Sequence, residues 1–124
     1  MWTYTIATGE MTDGNHQFFG YSGHGLGLNN PAMEGTRDVG PAPEGLYSIG
    51  PWHDAPHLGP CVSLLSPVDH DADGRTGLYI HGDNRLGNHS ASDGCIIMDK
   101  IARQTMRNSN DTSLNVIKGG EADV

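Results

Sequence analysis

Over residues 1–7, bulky Trp2, Tyr4 and Ile6 alternate with the smaller Thr3, Thr5 and Ala7. A period of two puts every second side chain on one face, which predicts a half-buried opening strand. Asp13-Gly14 supplies a hairpin turn, and residues 17–21 return as its partner. From 22 to 43 neither period survives, so this stretch predicts a long loop shaped by tertiary contacts, of the kind that builds sites. Short apolar runs at 46–49, at 62–65 after a Gly59-Pro60 break, and at 76–81 read as further strands, the last ending on His81. Helical spacing occurs once, where Ile97, Ile101 and Met106 are apolar, Asp99 can cap, and Lys100, Arg103 and Arg107 are expected to face outward. A helix over about 99–109 follows, then a last strand at 114–117. The expected fold is mainly β, a sandwich or barrel with one short helix after Cys95. Residues 1–118 are expected to form one domain, with 119–124 as a polar tail.

Composition narrows the picture. Hydrophobic residues are 35% of the chain, below the roughly 45 to 50% usual for globular domains, so the core should be modest. Eighteen glycines and seven prolines favour short elements joined by turns over a helical bundle. A net charge of −8, with seven dispersed Lys and Arg residues, argues against a nucleic-acid partner. No run approaches the about 18 apolar residues of a membrane span, and residues 1–14 lack the pattern of a signal peptide. Synthesis in the cytoplasm and a monomeric state are the corresponding expectations. Cys61 and Cys95 are too few for a disulfide framework, and both are expected as free thiols.

Candidate chemistry concentrates in Tyr79-Ile80-His81-Gly82-Asp83-Asn84 and Ser90-Ala91-Ser92-Asp93-Gly94-Cys95-Ile96-Ile97. A strand delivers a histidine to its end, and fourteen residues later a cysteine follows a Ser-Asp-Gly turn. An ordinary thiol is mostly protonated at neutral pH, so a nucleophilic cysteine needs an imidazole to take its proton. Cys95 is therefore the candidate nucleophile and His81 its base, with the Gly82 carbonyl orienting the imidazole. Gly94 is expected to let substrate approach the backbone closely, and the N–H groups of this turn to stabilise an oxyanion. Ser92, Asp93, Asn84 and Arg75 are the candidate substrate contacts. No metal or organic cofactor is required.

These segments resemble the active-site signature of the YkuD-type L,D-transpeptidases, a His-Gly followed by Ser-His-Gly-Cys. They are more similar to the small L,D-transpeptidase-like effectors of type VI secretion systems, which carry Ser-Asp-Gly-Cys-Ile where Ser92 to Ile96 stand. Gly40-Pro41-Ala42-Pro43-Glu44-Gly45-Leu46-Tyr47-Ser48-Ile49 resembles a further segment of that group. The resemblance implies attack by Cys95 on the diaminopimelate carbonyl of a peptidoglycan stem tetrapeptide, with release of D-alanine. Water as acceptor then gives L,D-carboxypeptidase action, and a free D-amino acid gives exchange. It also implies an antibacterial effector that acts in the periplasm of a target cell and is matched by an immunity protein. Asp93 replaces the histidine of Ser-His-Gly-Cys, and Ile97 stands where many members have Arg or Asn. Asp93 has two readings, binding the diaminopimelate ammonium or capping a turn.

Competing readings rest on other residues. Asp69-x-Asp71-x-Asp73-Gly74 matches half of a calcium loop, but Ile80 stands at the position of its bidentate glutamate. His53, Asp54 and His57 could hold zinc but lack an obvious further ligand. Gly23-His24-Gly25-Leu26-Gly27 reads as a flexible rim, and His89 as solvent-facing. A non-enzymatic wall-binding or calcium-binding module, with His81 and Cys95 structural, is one alternative. The other is an NlpC/P60-like cysteine endopeptidase, in which the cysteine precedes the histidine, opposite to the order in this chain.

Overall fold

The computed structural model describes residues 1–34, 36–83, 92 and 94–119. The strands are β1 (Trp2–Thr5), β2 (Glu10–Thr12), β3 (Gln17–Phe19), β4 (Tyr21–Ser22), β5 (Gly45–Ile49), β6 (His53–Ala55), β7 (Gly59–Val68), β8 (Tyr79–His81), β9 (Ile96–Ile97) and β10 (Ser113–Ile117). A helix, α1 (Lys100–Ser109), lies between β9 and β10. The sheet order is β3-β2-β1-β10-β5-β7-β8-β9-β4, with β6 paired to β7. The fold is thus mainly β with one short α-helix among the described residues. No helix among them is long and apolar enough to cross a membrane.

The two ends of that order are consecutive in the chain, since β3 and β4 are separated by Gly20 alone. The chain leaves the β2 edge at Phe19 and joins the β9 edge at Tyr21, nearly closing the sheet into a barrel. Closure leaves few unpaired strand edges. Gly20 is the corner: its N–H donates to the Gly9 carbonyl (2.8 Å), and a Cβ on it would lie 1.8 Å from the Ile97 carbonyl oxygen. Inside, the inward positions of the strands form the core, with Trp2, Tyr4, Ile80, Ile96, Leu114 and Val116 all essentially sealed from solvent.

Several boundaries differ from those expected. The opening is a three-stranded meander, because β2 intervenes and the Asp13-Gly14 turn joins β2 to β3. Gly59-Pro60 is no break but the start of a ten-residue strand, which pairs with β6 along one part and with β5 along another. A proline is tolerated at the start of a strand, where a donor can be spared. The helix has its expected cap, with Asp99 Oδ1 accepting from Ala102 N at 2.8 Å. Its buried face is Ala102, Arg103 and Met106, while Ile101 is 67% exposed. Arg103 therefore points inward, contrary to the expectation that it faces solvent.

Gly20→Ala forces a methyl group onto a carbonyl at the barrel corner. Overpacking of this kind costs about 2 kcal/mol or more, which at this size lowers Tm by roughly 6 °C or more. Thermal unfolding followed by circular dichroism reads this directly, and a Tm unchanged within about 1 °C contradicts the corner assignment.

Candidate active site

β8 and β9 run parallel, with Ile80 beside Ile96 and His81 beside Ile97. Continuing that register places Cys95, one residue before β9, alongside Tyr79. Side chains alternate along a strand, and paired residues share a face. Ile80 and Ile96 take the core side, so Tyr79, His81, Cys95 and Ile97 share the other. His81 and Cys95 are diagonal neighbours on that face, two positions apart in the register.

The sulfur of Cys95 accepts from the Tyr79 N–H at 3.3 Å and lies 3.7 Å from the Gly77 carbonyl oxygen. Cys95 is partly exposed, whereas Cys61 is buried, and both are free thiols. His81 is 6% exposed, and its Nδ1 lies 2.8 Å from the Gly82 carbonyl. A carbonyl accepts only, so Nδ1 carries the proton and Nε2 is left with its lone pair. Burial lowers the pKa of His81 below the ordinary histidine value, and the Arg103 charge acts in the same direction. The Gly82 hydrogen bond and Asp83 oppose them. The imidazole is therefore neutral at neutral pH, the form that accepts a proton.

The turn carrying Cys95 is tied down from two directions. The Ser92 hydroxyl donates to the Cys95 carbonyl at 2.5 Å and accepts from the N–H groups of Gly94 (3.1 Å) and Gly23 (2.9 Å). Ser22 Oγ donates to the same Cys95 carbonyl at 2.9 Å and accepts from Ala42 N. His24 Nδ1 lies 2.7 Å from the Ser92 carbonyl, so the glycine-rich 23–27 segment buttresses the cysteine turn where a loose rim was expected. Ser92 was expected to touch substrate, but it is fully buried and its hydroxyl is engaged. Its place is behind the turn.

Gly94 also differs from expectation. Its N–H is committed to Ser92, so it is not an oxyanion donor in this geometry. The space a Cβ would fill is taken by the Arg75 guanidinium, 1.8 Å from that position, and not by substrate. Gly94 adopts φ +132, a conformation that side chains disfavour. Arg75 Nη1 donates to the Thr36 carbonyl at 3.3 Å. It lines a cleft of about 470 Å³ that Cys95 also borders, together with Arg37, Asp38, Asp73 and Gly77. Asn84, Asp93 and His89 lie outside the described residues, as do 120–124 of the expected tail.

The rival motifs have structural explanations. Asp71 Oδ1 accepts from Asp73 N and caps the short 3-10 turn Ala72–Gly74. Asp54 Oδ1 accepts from Cys61 N. Among the described residues no group of three His, Cys, Asp or Glu side chains converges as a metal site would require. Ser22, Arg37 and the Tyr79 N–H were missed from sequence. Ser22 and Tyr79 contribute through contacts to residues at least sixteen positions away, which no local pattern encodes.

Cys95 thus borders a charged cleft on a nearly closed β frame, with a neutral imidazole on the same sheet face. Residues 16–119 match the family model of the Tlde1 domain, and the chain belongs to that family, one of L,D-transpeptidase-like effectors of type VI secretion. Membership implies a peptidoglycan substrate, action in the periplasm of a target cell and an immunity partner. No curated protein matches the chain.

The depressed pKa of His81 predicts a pH dependence of stability. The unfolded chain binds this proton near the ordinary value of about 6.5, the folded chain only at lower pH. The contribution is therefore complete above about pH 6.5 and declines as pH falls toward the folded value. Urea unfolding between about pH 7.5 and 5.5 should show a loss of stability that is smaller in His81→Gln. Equal losses in the two proteins would contradict it.

Proposed function

We propose that the chain is a cysteine-dependent L,D-carboxypeptidase and D-amino-acid exchange enzyme acting on the stem tetrapeptides of peptidoglycan. The observation that carries this reading is the placement of Cys95, its sulfur against the Tyr79 N–H and at the edge of a cleft, on the same sheet face as a neutral His81. Family membership supports the wall substrate.

In this reading His81 Nε2 takes the thiol proton, and the thiolate attacks the carbonyl of the diaminopimelate residue that precedes D-alanine. Collapse of the tetrahedral intermediate breaks the amide bond, and the imidazolium returns the proton to the departing D-alanine amine. A thioester to Cys95 remains. Water, deprotonated by the same imidazole, releases the tripeptide and restores the thiol. A free D-amino acid instead restores an amide with a new terminal residue. Arg75 and Arg37 border the cleft and are suited to the carboxylates of the stem peptide, and Asp38 and Asp73 to its ammonium groups. Asn84 and Asp93, outside the described residues, complete the proposed substrate contacts.

Incubating purified disaccharide tetrapeptide with the protein should release D-alanine and leave tripeptide, both quantified by mass spectrometry. Cys95→Ala and His81→Ala should each reduce the rate by at least about 1000-fold. Release by Cys95→Ala at the native rate, or none by the native protein, rejects the assignment.

A further inference from the structure

Arg103 is a guanidinium inside a small protein, 7% exposed. Its hydrogen bonds go to main-chain carbonyls. Nε donates to Met98 O (3.1 Å) and Asp99 O (3.3 Å), and Nη1 donates to Pro60 O (2.5 Å) and Cys61 O (3.3 Å). Among the described residues no carboxylate pairs with it. Carbonyls satisfy its Nε and Nη1 donors without neutralising the charge, so a full positive charge remains inside. An apolar side chain would fill the space with a smaller desolvation cost, so packing alone does not account for an arginine.

Two contacts join that charge to His81. A Cβ on Gly82 would lie 2.7 Å from Arg103 Nη2, so the guanidinium rests against Gly82, whose carbonyl takes the Nδ1 proton of His81. Met98, whose carbonyl accepts from Arg103, donates its own N–H to the His81 carbonyl at 3.0 Å. Arg103 thus braces the histidine along both main-chain routes out of its strand.

We propose that Arg103 is a positioning residue for His81, clamping the His81-Gly82 turn and presenting a positive charge to the imidazole. The clamp fixes which ring nitrogen carries the proton. The charge disfavours the imidazolium in the resting protein, in the same sense as burial, which is the larger cause of the lowered pKa. The other ionisable groups on adjoining elements are Asp83, whose Oδ1 accepts from the Tyr21 hydroxyl (2.7 Å), Tyr79, Cys95, and Asp99, whose Oδ1 caps α1. Asp83 opposes Arg103.

The inference rests on His81 being the base, so its test includes a readout that needs no turnover. The His81 imidazole is titrated by NMR, with its signals assigned by their loss in His81→Gln, in the native protein, Arg103→Met and Arg103→Lys. D-alanine release is measured across the same pH range. In Arg103→Met the midpoint should rise, the acidic limb of kcat/KM should move with it, and turnover should fall about tenfold or more. Arg103→Lys keeps the charge and should keep the native midpoint, yet lose turnover because an ammonium cannot span four carbonyls. If Arg103→Met does not fold, Gly82→Ala displaces the same guanidinium and should also raise the midpoint. A folded Arg103→Met, or failing that Gly82→Ala, with an unmoved or lowered midpoint overturns the inference. If the native protein releases no D-alanine, the proposed reaction fails, while the titration still decides the role of Arg103.

Discussion

The parallel pairing of β8 with β9 is the constraint on which the site depends. Both strands are very short, and their register alone sets Cys95 beside Tyr79 and on the face of His81. A slip of one residue would turn the thiol into the core. Two residues of pairing are too few to hold such a register by themselves, since each hydrogen bond contributes only about 0.5–1.5 kcal/mol net. Buried hydroxyls supply the rest. Ser22 and Ser92 both donate to the Cys95 carbonyl, and Ser22 belongs to β4, the strand that closes the barrel against β9. The corner at Gly20 and the geometry of Cys95 are therefore parts of one structure.

Arginine and glycine meet twice beside the proposed pair. Arg75 occupies the space against Gly94, and Arg103 the space against Gly82. In a chain of net charge −8 with only seven basic residues, two guanidinium groups stand at these points, the first sharing its cleft with Asp38 and Asp73. Arg75 borders the cleft, whereas Arg103 is sealed within the protein. The same side-chain chemistry thus serves the substrate side and the base side of the proposed reaction.

Much of this was legible in the chain. Alternation in β1, the cap at Asp99 and the strand ending on His81 all follow local rules of spacing and capping, and the structure carries all three. The seam of the barrel was not legible, because closure depends on a glycine whose only signal is the carbonyl of a residue far along the chain. Arg103 was misplaced for a different reason. Taking Ile101 as an apolar anchor rotates the helix so that Arg103 faces solvent, while the stripe of Asp99, Ala102, Arg103 and Met106 has equally good helical spacing. A hydrophobicity pattern cannot favour a stripe with an arginine in it. Ser92 and Gly94 were placed in the right turn but given contacts to substrate, since sequence spacing locates a turn without saying which side of it is buried.

The account stands on cooperation between the Cys95 thiol and the His81 imidazole. The most direct measurement is the rate at which iodoacetamide alkylates Cys95, resolved from Cys61 by peptide mass spectrometry, as a function of pH in the native protein and in His81→Ala. Cooperation predicts fast alkylation of Cys95 that persists below about pH 7, and a loss of about tenfold or more there when His81 is replaced. Identical profiles in the two proteins, each rising only near the ordinary thiol value of about 8.5, would contradict it.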